Sequence, residues 1–195
     1  QLLLRAWDDK APDWDIRLKR FSQTLIMQID TLSSIATEFS DFAQMPDPQI
    51  QQFDIIPIVQ QSVSLFRDQS DCEISFETKL QECVIKSDPN QILRVFNNLI
   101  KNALQAIPDD RQGIIRIKLV ITGDSCAISF QDNGTGIAGD QQTRIFSPNF
   151  TTKTAGMGLG LAMVKNIIDN SAGRIWFETV PGKGTTFFVS LPLKD

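Results

Sequence analysis

Between residues 15 and 43 the chain repeats itself every seven positions. Leu18, Leu25, Leu32 and Phe39 occupy one position of the repeat. Phe21, Ile35 and Phe42 occupy the interleaved one, together with polar Gln28. A seven-residue apolar repeat sustained this long is an a/d seam, and it predicts one long helix packed in coiled-coil fashion. Ile26, Ile29 and Ala36 widen the stripe, which suits a four-helix bundle better than a two-stranded coil. The alternative is an ordinary amphipathic helix packed on its own domain. Upstream, residues 1–7 read as the end of another helix and residues 8–13, with Pro12, as a connection. Downstream, Pro46 and Pro48 end the helix and stiffen a linker.

From Phe53 the pattern becomes mixed. Asp54 can cap a helix running to Phe66, with Ile58, Val59, Val63 and Phe66 inward. Residues 74–78 and 83–86 read as short strands. Ile92, Val95, Phe96, Leu99, Ile100, Ala103 and Ala106 recur at helical spacing, after Asp88 as N-cap and Pro89 at the first helical position. Residues 115–121 and 126–131 alternate as strands joined by Gly123-Asp124. Residues 140–146 predict a short helix and residues 158–170 a longer one, before a terminal hairpin of residues 174–180 and 185–191. This succession implies an α/β two-layer sandwich, a mixed sheet covered on one face by helices, preceded by the long helix. Two domains are expected, 1–48 and 49–195.

Composition narrows the class. The 195 residues carry a net charge of −4 and no basic stripe, which argues against a nucleic-acid partner. Cys72, Cys83 and Cys126 show no metal or redox spacing and read as reduced thiols of an intracellular protein. No apolar run approaches the roughly 20 residues of a membrane span. The chain begins without methionine in mid-element, so it reads as a fragment.

Four stretches carry chemistry. Asp132-Asn-Gly-Thr-Gly-Ile137 follows a strand, and its two glycines permit a sharp turn and close approach of a ligand to the backbone. Asn98 and Asn102 lie four apart, on one helix face, where surface amides gain nothing in helix propensity. They could serve as neutral oxygen ligands for a hard cation carried by a polyphosphate. Gly156-Met-Gly-Leu-Gly-Leu161 opens a helix as a backbone nest able to hold phosphate oxygens. Its spacing is neither the Rossmann fingerprint nor a P-loop. Phe146-Ser-Pro-Asn-Phe-Thr-Thr-Lys153 is an aromatic-flanked loop that could close over a nucleotide and offer Lys153 to its phosphates. Phe146 and Phe150 read more as loop packing than as direct contacts, and Lys101 and Lys165 as solvated helix faces.

These boxes in this order, with Gly182-Lys-Gly-Thr185 before the last strand, resemble the ATP-binding domain of sensor histidine kinases, part of the gyrase, heat-shock chaperone, kinase and mismatch-repair ATPase superfamily. Asn-Phe-Thr-Thr-Lys and Gly-Leu-Gly-Leu-Ala look most like the nitrogen-regulation NtrY/NtrB-type branch. The resemblance spans Phe53 to Leu193. It implies Mg²⁺ held by Asn102 and Asn98. It implies ATP contacts from Asp132, Gly134, Gly136, Ile137, Phe150, Thr151, Thr152, Lys153, Gly156, Gly158, Leu159, Gly160 and Thr185, with Asn98, Asn102 and Lys153 also serving catalysis.

In the resembling kinases residues 15–43 would be the second helix of a dimerising hairpin whose first helix carries the phosphate-accepting histidine. This chain has no histidine. The resemblance therefore implies a homodimer through that helix, a response-regulator receiver domain as partner, and a cytoplasmic part of a parent anchored in the inner membrane; the acceptor histidine either lies outside the fragment, which the mid-element start favours, or is missing from the parent. The superfamily's ATPases carry a glutamate base where this chain has Asn98, whose amide cannot take a proton. That favours transfer over hydrolysis. Many kinases also carry a lysine at the position of Gln105; its absence shifts phosphate binding towards Lys153. A non-catalytic, dimeric nucleotide-binding interaction module and a true ATPase of the superfamily are the alternatives.

Overall fold

The computed structural model describes residues 14–43, 47–67, 71–148, 150–151 and 157–193. They fall into two compact units. Helix α1 (Trp14–Ala43) belongs to the first. It is one continuous helix of 30 residues, as the repeat predicts, and Leu18, Phe21, Leu25, Ile26, Ile29 and Leu32 are all exposed within the chain.

The second unit is the predicted sandwich. Strands β2 (Glu73–Thr78), β4 (Ile114–Thr122), β5 (Ser125–Asp132), β7 (Gly184–Pro192) and β6 (Arg174–Val180) form one sheet in the order β2-β4-β5-β7-β6. Strands β2 and β4 run parallel, and the other neighbours are antiparallel. The parallel pair follows from the connection between them, which carries strand β3 (Val84–Ser87) and helix α3 (Pro89–Ala106) across one face. Helices α2 (Ile55–Arg67) and α4 (Gly160–Asn170) pack on either side of α3.

Alternation decides which sheet face they cover. Ile115, Ile117 and Leu119 of β4, Cys126, Ile128 and Phe130 of β5, and Phe187, Val189 and Leu191 of β7 point into the core. Arg116 and Lys118 point to solvent, where Lys118 meets Glu77 of the neighbouring strand at 3.3 Å. Phe96 of α3 lies against Phe130, ring centroids 5.4 Å apart, and joins helix layer to sheet.

The helix starts are built as expected. The Asp88 carboxylate accepts from the N–H groups of Asn90 (2.8 Å) and Gln91 (3.3 Å), with Pro89 in the first turn. Asp54 accepts from Ile56 N–H at 3.1 Å and also from Cys83 N–H at 3.0 Å.

Three features depart from the expectation. Strand β1 (Gln51–Asp54) pairs antiparallel with β3; four residues are too few to show alternation. Residues 140–146 are not a helix but part of three successive turns, in which Gln141, Arg144 and Ser147 N–H donate to the carbonyls of Ala138, Gln141 and Arg144 at 3.0, 2.9 and 2.8 Å. Buried Ile145 and half-buried Phe146, adjacent in the chain, supply the inward side chains there, and no apolar stripe at helical spacing exists to hold a longer helix. Helix α4 begins at Gly160 rather than Gly158, because Gly158 has a φ of 67°, outside the right-handed helix.

Candidate nucleotide-binding site

Strand β5 ends on Asp132, whose side chain is 6% exposed. Its Oδ1 accepts from Gly134 N–H at 2.8 Å and from Thr185 N–H on β7 at 3.2 Å. Neither bond uses Oδ2. Burial pushes the Asp132 carboxyl above its ordinary pKa, and the two N–H groups pull in the opposite direction without cancelling it. A carboxylate held this way is an acceptor in a dry place, suited to an amino group presented by a ligand.

The turn after Asp132 is fastened on both sides. Thr135 N–H donates to the carbonyl of Ala106, the last residue of α3, at 2.9 Å, and Gly182 N–H of the β6–β7 turn donates to the Thr135 carbonyl at 2.7 Å. A Cβ on Gly134 would stand 2.5 Å from the Ala106 oxygen. Gly136, at φ 69°, lies equally close to the Val180 carbonyl. These approaches are the physical reason for the glycines. Ile137 N–H donates to Thr179 Oγ1 at 2.9 Å, and that hydroxyl is 3.0 Å from Thr185 Oγ1. Asp132, Gly134, Gly136, Ile137 and Thr185 are thus one constellation, with buried Thr185 bracing Asp132 from behind.

Helix α3 brings the asparagines to the same end. Asn102 is one turn before Ala106, whose carbonyl anchors the glycine turn. Asn98 donates its Nδ2–H to the Arg94 carbonyl at 2.9 Å, and its Oδ1 points at Gly160, where a Cβ would come within 2.7 Å. The helix face therefore presents a neutral oxygen beside the start of α4. Among the described residues no group of three or more His, Cys, Asp or Glu could hold a metal ion. Amide oxygens fit a cation that arrives with most of its ligands on a polyphosphate.

The glycine-rich stretch meets the aromatic loop at Gly158, which packs against the backbone of Phe150. The Phe150 ring lies under the Arg144 guanidinium, 4.9 Å from its centroid. Phe146 packs on Phe177 and Phe187, with centroids 6.1 and 6.4 Å apart, so its role is packing as expected. Leu159 buries its side chain and gives helix α4 no side-chain cap, so a ligand has the first-turn N–H groups to meet. Thr151 is exposed. Thr152, Lys153 and Gly156 lie outside the described residues. On α4, Lys165 pairs with Asp169 at 2.7 Å on the surface, in keeping with a solvated face.

Two residues of this constellation escape a reading by motif. Thr179 is one polar position on an alternating strand, and Asn133 sits inside the glycine turn but faces away from it. Asn133 Oδ1 accepts from Ile114 N–H and its Nδ2 donates to the Gln112 carbonyl, both at 2.9 Å, tying the turn to β4.

The sequence pattern described as "Histidine kinase-, DNA gyrase B-, and HSP90-like ATPase" matches residues 87–195. The chain belongs to this ATPase family. Family members similar to it include the sensor histidine kinase ZraS of Escherichia coli, 33% identical over 177 residues, covering 89% of this chain and 38% of ZraS. The nitrogen regulation protein NtrY of Azorhizobium caulinodans is 33% identical over 179 residues, covering 89% of this chain and 23% of NtrY. The chain spans less than half the length of these curated relatives. Equal identity to ZraS and NtrY leaves the nitrogen-regulation branch one of several related groups. Among solved structures, the nucleotide-free catalytic domain of the histidine kinase ThkA superposes with a TM-score of 0.68 at 30% identity, covering 74% of this chain and 96% of that domain. The matching pattern begins at Ser87, so it takes in α3 and every box named above.

Proposed function

We propose that this chain is the ATP-binding catalytic part of a sensor histidine kinase, which binds Mg·ATP and passes the γ-phosphoryl group to a histidine outside these 195 residues. The observation that carries the reading is the buried Asp132 carboxylate, with Oδ1 committed to two backbone N–H groups and Oδ2 left for a base. The exocyclic amino group of adenine matches that oxygen; guanine presents a carbonyl there, and two acceptors would face each other.

In this reading the glycine turn lets the base and ribose lie against the backbone. Asn102 and Asn98 would hold Mg²⁺, which supplies charge neutralisation on the phosphates. The N–H groups of Gly158 and Gly160, with Lys153, bind phosphate oxygens. Phosphoryl transfer asks the protein mainly for positioning and charge neutralisation. Asn98 has no proton-accepting group and spends its amide N–H on Arg94, which supports transfer to a supplied nucleophile over hydrolysis.

Residues 15–43 act as the dimerisation helix. The exposed Leu18, Phe21, Leu25 and Leu32 on α1 support this, since a stripe of that kind calls for a partner surface. A receiver domain is the downstream partner. Among the described residues no helix is long and apolar enough to cross a membrane, and the chain works as the cytoplasmic portion of a parent anchored in the inner membrane.

The test is calorimetric titration with a non-hydrolysable ATP analogue, with and without Mg²⁺, against GTP. Adenine-selective, Mg²⁺-strengthened binding is expected, followed by phosphorylation of a histidine-bearing helical hairpin supplied in trans. Absence of binding to either nucleotide refutes the reading.

A further inference from the structure

The loop after α3 runs Pro108-Asp-Asp-Arg111, a turn closed by Arg111 N–H donating to the Pro108 carbonyl at 3.1 Å. It holds none of the nucleotide boxes. Yet it delivers the Arg111 guanidinium to three backbone carbonyls at once, through Nη1. They are Asn133 at 2.5 Å and Gly134 at 3.2 Å in the glycine turn, and Gly182 at 3.3 Å in the β6–β7 turn. Carbonyl oxygens gathered this closely repel one another, and a cationic donor among them removes the repulsion. The consequence reaches the base site in one step. Fixing the carbonyls of Asn133 and Gly134 fixes the peptide between them, and its N–H, that of Gly134, is the donor to Asp132 Oδ1.

We propose that Arg111 is a positioning residue for nucleotide binding: a clamp that holds the glycine turn against the β6–β7 turn so that Asp132 is presented to the base in one orientation. The proposal rests on the nucleotide reading of the site. Arg111 is exposed and is not a residue of the hydrophobic core, so its removal is expected to leave the fold intact.

The test uses the 195-residue chain with Arg111→Ala and Arg111→Lys. Without nucleotide, amide exchange at Gly134, Thr135 and Gly182 is expected to speed up about tenfold in Arg111→Ala while Ile117 in the core keeps its rate. ADP affinity is expected to fall about fivefold, less than the full worth of a hydrogen bond to a charged group, because Arg111 acts on the base site only through the Gly134 peptide. All three contacts come from the one Nη1, so Arg111→Lys, which keeps a cationic nitrogen with three donors, should recover part or all of the loss. Unchanged exchange at the three turn amides, or ADP affinity within about a factor of two of the original chain, where one hydrogen bond's loss would exceed it, overturns the clamp. If the unaltered chain binds no ADP, the nucleotide reading falls, and the exchange rates still decide whether Arg111 holds the turn.

Discussion

Replacing Asp132 with asparagine exchanges one atom group and separates binding from stability. Asparagine keeps Oδ1, which can still accept from Gly134 N–H at 2.8 Å and Thr185 N–H at 3.2 Å. The turn therefore survives, but an NH₂ group now takes the place of Oδ2 and meets the adenine amino group donor to donor. A hydrogen bond to a charged group contributes about 1.5–3 kcal/mol, so adenine nucleotide affinity should fall roughly 10- to 150-fold. Guanine, whose carbonyl suits the new NH₂, should lose less or gain, and the adenine-to-guanine ratio should collapse.

Stability should move the other way. Burial raises the Asp132 pKa above its ordinary 3.8 in the folded chain. A group whose folded pKa is raised contributes stability that is complete below the unfolded pKa and lost as pH rises through the folded one. At neutral pH the ionised Asp132 thus weakens the fold, and a neutral asparagine relieves it. Calorimetric titration with ADP and GDP, together with thermal melts from neutral pH downwards, reads both effects. Asp132→Asn should melt no lower than the unaltered chain at neutral pH, and the difference should shrink on acidification. ADP binding by the unaltered chain should weaken as acid protonates Asp132, beginning above the ordinary value of 3.8. Undiminished ADP affinity in the asparagine variant, or a melting temperature several degrees lower, would refute the reasoning.

Asn102→Ala should leave ADP affinity in EDTA unchanged and abolish the gain produced by Mg²⁺; equal losses with and without the ion would remove Asn102 from the metal site. Leu25→Glu places a charge on the exposed stripe of α1 and should weaken self-association, measured by sedimentation, while ADP binding stays intact. Gly158→Ala forces a side chain into the left-handed region at φ 67° and against the Phe150 backbone. Strain of about 1–2 kcal/mol is expected, visible as lower melting temperature together with weaker binding of the ATP analogue, and a variant equal to the original in both would show that this turn can rearrange freely.

Much of this protein can be read along the chain because the forces concerned are local. The α3 boundaries follow from Asp88 as a cap, Pro89 in the first turn and an apolar stripe at helical spacing, all settled within about four residues of one another. The same holds for the alternation of β4 and β5, and for the glycine turn that marks out Asp132. The expected helix over residues 140–146 fails for a related reason: the composition allows it, but burying Ile145 and packing Phe146 between Phe177 and Phe187 is met equally well by turns.

The sequence by itself determined most of the element order, missing β1 and expecting a helix over 140–146, together with the family's boxes and the residue types that could face a nucleotide, since each depends on spacing within one element or one turn. Only the tertiary structure decided how those boxes are held. Thr185 N–H reaches Asp132 across 53 positions, Thr179 takes Ile137 N–H across 42, and Arg111 spans 71 to reach Gly182. In each of these the backbone supplies one of the two partners, and every residue except proline has the same backbone N–H and C=O. Such pairings leave no mark in residue type, and they exist only once β5, β6 and β7 lie side by side.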